Sequence, residues 1–209
     1  MATFTQTIND LVGEFTDTTA MDRFLQDGLK QLYSILPTNK LLECVVPSTL
    51  SNSPSTLALN TATVGPVIAV TRKDSKGFSQ SCRQIAAMMA SRATDTSDLM
   101  HSTETDPIYY INNSILNVYP EPTASQTAEV LHLPLTAIGN GDETINNLSN
   151  DLEYIVVLYA AVKCAESLFA SEEDTELYTP MIQNLKNDYT QALQLVGARQ
   201  QTGPQESRE

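Results

Sequence analysis

Residues 152–169 read LEYIVVLYAAVKCAESLF, and the first half of this stretch is apolar at nearly every angle of a helical wheel. Val157, Leu158, Ala161, Cys164, Ala165 and Leu168 form one broad apolar face, while Leu152, Ile155, Val156 and Tyr159 cover most of the remainder. A soluble monomer seldom encloses one helix that fully, so the excess apolar surface of this helix points to assembly. Its second half turns amphipathic through Lys163, Glu166 and Ser167. The broad face suits packing against the other strong helices of the chain. The excess, Leu152, Ile155, Val156 and Tyr159, needs a further cover, either the β-rich middle of the chain or a neighbouring subunit. These four are the candidate subunit interface.

Working outward, the spacing predicts a helix over 18–36, with Met21, Phe24, Leu25, Leu29, Leu32, Ile35 and Leu36 on one face and Arg23, Asp27, Lys30 and Ser34 opposite. Asp17 or Thr18 caps it and Pro37 stops it. Gly28 lies on the apolar face, where a missing side chain lets another backbone approach closely. A shorter helix is expected over 5–13, ended by Gly13. Beyond the central helix, Tyr178, Met181, Ile182, Leu185, Tyr189, Ala192, Leu193 and Val196 share a face of a helix over 172–196 that carries Pro180 inside it, as a kink. Residues 197–209, GARQQTGPQESRE, lack periodicity and apolar content and read as a flexible tail.

The period changes in the middle of the chain. Two regions, 41–72 and 108–133, favour strands: Cys44, Val45 and Val46, then Val67 to Thr71, and later a meander of IYYIN, ILNVY and TAEVLHL separated by turn residues. Between them, Cys82, Ile85, Met88 and Met89 recur at helical intervals, which predicts a helix over 80–92. The segment following Gly139-Asn140-Gly141-Asp142 allows a short helix up to Leu148. The fold class is therefore α+β: a predominantly helical bundle, single-domain over 1–196, with a small antiparallel β-lobe inserted.

Twelve basic residues against twenty-five acidic ones give a formal charge of −13. That is the wrong sign for a free-standing phosphate-binding surface and argues against simple nucleic-acid binding. Acidity of this size keeps a chain soluble, attracts a basic partner, or lines a passage that DNA traverses without sticking. Cys44, Cys82 and Cys164 are odd in number and widely spaced, unlike a disulfide framework or a zinc pattern, and are expected as buried, reduced thiols. The start, MATFTQTIND, lacks the features of a signal peptide, and no apolar run reaches membrane-spanning length, so synthesis in a cytoplasm and no membrane partner are expected.

The densest polar constellation is DLMHSTETD, with Asp98, His101, Glu104 and Asp106. On a helix, Asp98 and His101 would share a face, as metal ligands or an acid/base pair require. Ser, Thr and Pro107 argue instead for a solvated connection. His132 alternates with Leu131 and Leu133 and is expected on the opposite, polar side of a strand. GxSxG, HExxH, P-loop and GxGxxG patterns do not occur, so no catalytic residue, metal or cofactor is expected. The basic groups Arg72, Lys73 and Lys76, and Arg83 with Arg92, are sparse and read as a salt-bridged surface or a protein interface.

The order of elements is amphipathic N-terminal helices, a β-region containing ILNVYPEPT, and a closing pair of helices, NDLEYIVVLYAAVKCAESL and LKNDYTQALQLV. This resembles the head-to-tail adaptor (connector) proteins of tailed bacteriophages, in which a proline-bounded strand precedes an acidic-capped helix rich in Val, Tyr and Ala, as Tyr119-Pro120 to Ala161 does here. The resemblance spans almost the whole chain as a pattern of elements. It implies a virion protein of the neck that forms a cyclic homo-oligomer, a dodecameric ring, binds the portal protein on one side and tail or nozzle proteins on the other, and leaves a channel for DNA. The residues alone also allow a cytoplasmic helical interaction module using the β-lobe, or, as the weaker alternative, a small enzyme using Asp98, His101 and Glu104.

Overall fold

In a computed structural model, which describes residues 2–51, 56–59, 61, 63–171 and 175–198, helices gather at the two ends of the chain and strands in the middle. The elements run α1 (Phe4–Val12), α2 (Thr18–Ile35), α3 (Thr38–Cys44), β1 (Val46–Leu50), β2 (Thr56–Ala58), β3 (Val64–Lys73), β4 (Ser79–Ser81), β5 (Arg83–Gln84), α4 (Ala90–Thr94), β6 (Ile108–Asn112), β7 (Ile115–Tyr119), β8 (Ala128–Pro134), α5 (Asn150–Ser171) and α6 (Thr175–Ala198). The fold is α+β. Two compact units divide it: Met1–Glu43 with Ala137–Glu209, and Cys44–Thr136.

Local chemistry explains how the helical unit begins. Thr3 caps α1 through a reciprocal box: its hydroxyl accepts from the Gln6 N–H at 3.3 Å, and the Gln6 side chain accepts from the Thr3 N–H at 3.1 Å. Phe4, Ile8 and Val12 then recur four apart and are all buried, and Gly13, at φ 87°, ends the helix in a conformation that glycine tolerates. Asp17 caps α2 by accepting from the Ala20 N–H at 3.0 Å. The chain returning from the strands is pinned to both helices. Asp22 accepts from the Asn140 backbone at 2.6 Å and side chain at 2.8 Å, while the Asn140 and Asp142 carbonyls accept from the Thr5 and Phe4 N–H groups of α1 at 2.8 and 2.9 Å. Those two donors are among the helix-start N–H groups that have no partner within the helix itself.

α1, α2 and α6 all pack on α5, which makes it the axis of this unit. The contact with α2 is close at Gly28: a Cβ there would lie 3.0 Å from the Tyr159 ring and 3.2 Å from the Val156 carbonyl oxygen. Tyr159 also meets Tyr189 of α6, with ring centroids 6.1 Å apart. Towards its C-terminal half, Glu166 takes Lys163 of its own helix and Lys186 of α6, each at 2.8 Å. Those two ammonium groups, Lys163 first, hold the Glu166 carboxyl below its ordinary range. A depressed carboxylate pKa contributes stability above the unfolded pKa and loses it as pH falls through the folded one. Thermal stability is therefore expected to decline as pH falls from the ordinary glutamate range downward, and Glu166→Gln should flatten that decline. The pair is a third exposed, so the difference should be only about 0.5 kcal/mol. Melting curves between pH 3 and 7 that are identical for both proteins would refute the assignment.

α6 runs through Pro180 and ends at Ala198. Gly197 and Ala198 of the expected tail are thus helical, and the rest of it, 199–209, lies outside the described residues. Residues 143–148 form turns rather than the short helix the sequence allows, and the Ile145 N–H donates to the Glu153 carboxylate on the first turn of α5. α3, between Pro37 and the first strand, occupies part of the region expected to be β-rich.

The second unit is a sandwich of two four-stranded sheets, ordered β1-β8-β3-β4 and β2-β7-β6-β5. Leu50, Val70, Ala128 and Val130 of the first sheet face Leu116, Val118, Tyr109 and Leu57 of the second, with Cys82 among them. β6 and β7 join through Asn113 and Ser114, both at positive φ (50° and 60°), as a two-residue hairpin turn matched to strand twist requires. Gly65 is required where β3 shifts register on β8, since a Cβ would lie 2.7 Å from the Leu133 carbonyl oxygen.

The helix expected over 80–92 is a correction. Cys82 donates its N–H to Val70 at 2.8 Å, Arg83 to Pro107 at 2.8 Å and Ile85 to Tyr109 at 3.0 Å, so the backbone of this segment is spent on the sheets. Cys82 is buried while Met88 is 85% exposed, which no single helical face could produce. Only a 3-10 turn at Ala87–Met89 and the five-residue α4 remain helical. Pairing with neighbouring strands outweighs the helix preference of an alanine-rich segment, which amounts to a few tenths of a kcal/mol per residue.

Candidate interaction surfaces

The four residues of α5 expected to need a neighbouring subunit do not present a surface. Leu152, Ile155 and Val156 are at most 3% exposed within the chain itself, and Tyr159 is half-buried between Gly28 and Tyr189. As an interface they are replaced. The helix apolar on all sides is enclosed by three helices of its own unit, a number the wheel of one helix cannot reveal.

What stays open lies one layer out. Leu185 and Val196 are buried on α6, but Met181, Ile182, Tyr189, Ala192 and Leu193 are only half-covered. Beside this stripe, a groove of about 480 Å3 runs between the start of α5 and the end of α6, lined among others by Asp151, Tyr154, Asp188, Ala192 and Leu195. Tyr154 is 48% and Leu195 65% exposed. Neither belongs to the apolar stripes read from the sequence. The signal that could have found them is that they are large apolar side chains out of register with the buried face of their helix. Among the described residues the groove lining carries two carboxylates and no cation. On α2, Arg23 is exposed and lies over the Phe24 ring, 5.3 Å from its centroid, and Ile35 is 48% exposed.

On the sandwich, the outward side of the second sheet carries Tyr110 and Tyr119 with rings stacked at 6.0 Å and 9°, beside Ile115 at the hairpin tip. Phe78, Met88 and Leu99 are strongly exposed on its connections.

The polar constellation is dispersed. Asp98 accepts from Arg92 at 2.8 Å, Asp106 from Arg83 at 2.9 Å, and Glu104 from Gln126 at 3.0 Å and the Ser75 N–H at 3.1 Å. Arg92 foremost holds Asp98, and Gln126 foremost holds Glu104, below the ordinary carboxyl range, so both are poor proton donors. Three metal-ligating side chains do not meet anywhere among the described residues. His132 does lie opposite Leu131 and Leu133, but that side is the interior: it is 3% exposed, with Nδ1 3.2 Å from the Leu133 carbonyl oxygen and Nε2 2.9 Å from the Ser48 hydroxyl. The carbonyl accepts only, so Nδ1 donates to it, and Nε2 shares its hydrogen bond with the Ser48 hydroxyl. Cys44, Cys82 and Cys164 are buried, and burial pushes the Cys82 and Cys164 thiols up to about 12, which keeps them protonated. Of the basic groups, Arg83 and Arg92 are in ion pairs, and Arg72, read as surface, is 2% exposed.

Among the described residues no helix is long and apolar enough to cross a membrane. A search among curated proteins gives no match. The model of the SU10 adaptor protein family matches residues 1–208. With the α+β fold, the match covers the helical unit and the sandwich together, and the chain belongs to the SU10 adaptor family of bacteriophage head-tail adaptors.

Proposed function

We propose that copies of this chain close into a ring, a dodecamer, at the neck of a phage particle, with the portal on one side, tail or nozzle proteins on the other, and DNA passing through a central channel. The observation that carries this reading is the family match along nearly the entire chain. Two physical features support it. The helical unit encloses its own central helix yet leaves apolar surface on α2, α5 and α6, as a subunit needs when different patches meet around a closed ring. A net charge of −13 suits a lumen that repels phosphate and lets DNA slide.

The test is assembly with a portal. Light scattering and negative-stain images of the purified protein, alone and mixed with the portal, should show rings on the portal even if the free protein is monomeric. A chain that stays monomeric and ignores the portal at high concentration would overturn the proposal. A chain cut after Ala198 is expected to bind the portal more weakly, because the polar segment 199–209 would dock there. Undiminished binding would remove that role from the segment.

A further inference from the structure

We infer that the groove between α5 and α6 receives the exposed side of α2 from the next copy of the chain, and that this contact is the head-to-tail joint of the ring. The inference rests on the ring reading above and names its two surfaces. Charge selects the occupant. Asp188, on the groove, meets no cation among the described residues, and the described residues of the groove lining supply none. Arg23, on α2, meets no carboxylate among them, and rests only on the Phe24 ring. Its neighbour Lys30 is already paired with Asp27 at 3.4 Å. Apolar surface matches as well: Leu195 and Tyr154 in the groove, Ile35 and the half-buried Phe24 on α2.

The two patches are different surfaces of one subunit, so their pairing is heterologous. Repeated around an axis it generates a ring and not a closed pair. A groove meeting its own twin would instead bring Asp188 to a surface carrying the same carboxylate, a like-charge juxtaposition that opposes such a dimer. Opposite charges at the rim chiefly orient and speed the encounter, while the exposed leucine supplies the buried centre.

Because these side chains are exposed, their replacement should leave the fold intact. The double variant Arg23→Cys with Asp188→Cys is treated with a short bismaleimide, the three native thiols being buried, and run on a denaturing gel, with and without the portal. The expected result is a ladder of dimer, trimer and higher species. A mixture of the two single variants should stop at the dimer, and neither single variant alone should link. In parallel, Leu195→Asp should weaken self-association at least tenfold, with an unchanged circular dichroism melt.

Dimers from Asp188→Cys alone would show groove meeting groove and overturn the pairing. An intrachain link between cysteines introduced as Asp188→Cys and Gln205→Cys, persisting at high dilution, would give the groove to the chain's own C-terminal segment and overturn it too. Rings on the portal without a ladder would refute this joint and leave the ring reading standing. Absence of any assembly would defeat both.

Discussion

Gly28→Val is expected to destabilise the helical unit by about 3 kcal/mol, seen as a fall in Tm of roughly 6–12 °C for a chain of this size. The cause is the closest helix-helix approach in the protein's described glycine contacts. A Cβ at position 28 would lie 3.0 Å from Tyr159 Cδ1, 3.2 Å from the Val156 carbonyl oxygen and 3.3 Å from Val156 Cγ1. The ring could turn aside, but the carbonyl belongs to the backbone of α5, which three helices hold in place. Gly28→Ala gains about 1 kcal/mol of helix preference and meets the same carbonyl, so its effect should be smaller and still unfavourable. Gly197 supplies the contrast. It is also helical, but nothing lies within 4 Å of its Cβ direction, and Gly197→Ala should stabilise slightly or leave Tm unchanged. If Gly28→Val melted with the wild type, close packing at this crossing would not be what holds α2 on α5.

The same crossing shows how far the sequence could be read. Gly28 on the apolar side of its helix announces a close neighbour, and the apolar girth of residues 152–169 announces that more than one neighbour must cover it, because both are properties of one helix seen alone. Identity of the cover is a property of several helices together. The wheel leaves Leu152, Ile155 and Val156 unassigned between a lobe and a subunit, whereas α1 and α2 close over the helix within the same unit. The surface left for a partner then shifts to residues that no periodicity singles out, Tyr154 and Leu195.

In the sandwich the limit is different. Alternation places His132 correctly opposite Leu131 and Leu133, but alternation cannot say which side is inside. The register does: His132 shares its side with Ala128 and Val130, which face the second sheet. The segment 80–92 misleads because Cys82, Ile85, Met88 and Met89 imitate a helical stripe over a few residues, and strand pairing with distant residues decides the matter. Long-range pairing leaves little trace in a local pattern.

Arg72→Ala is expected to cost the sandwich about 3 kcal/mol, a large part of the 5–15 kcal/mol by which most domains are stable. Arg72 is 2% exposed, and lies on the inward side of β3 in register with Ala128. Its guanidinium donates to the Pro120 carbonyl at 2.8 Å, the Lys73 carbonyl at 3.0 Å, the Gln126 side-chain oxygen at 3.0 Å and the Glu121 carbonyl at 3.3 Å. Gln126 in turn donates to Glu104, which also accepts from the Ser75 N–H. One planar cation thus ties the β7–β8 connection to the end of β3, and through Gln126 to the β3–β4 turn. Truncation removes the donors from three backbone carbonyls, that of half-buried Pro120 and those of exposed Lys73 and Glu121, of which the first is the costly one to leave unmade. Arg72→Met restores volume and removes a buried charge but still strands those carbonyls, so it should lose about 1–3 kcal/mol. Arg72→Lys keeps the charge without the fork and should also be destabilised. Urea unfolding followed by near-ultraviolet circular dichroism of the tyrosines would give the order Ala, then Met, below wild type, and hydrogen exchange should speed up at the Gln126 amide, which donates to the Thr123 hydroxyl at 3.1 Å. An alanine variant with an unchanged urea midpoint would mean that the buried arginine contributes nothing to holding the connection. Unchanged exchange at Gln126 in a destabilised variant would place its effect elsewhere in the sheet.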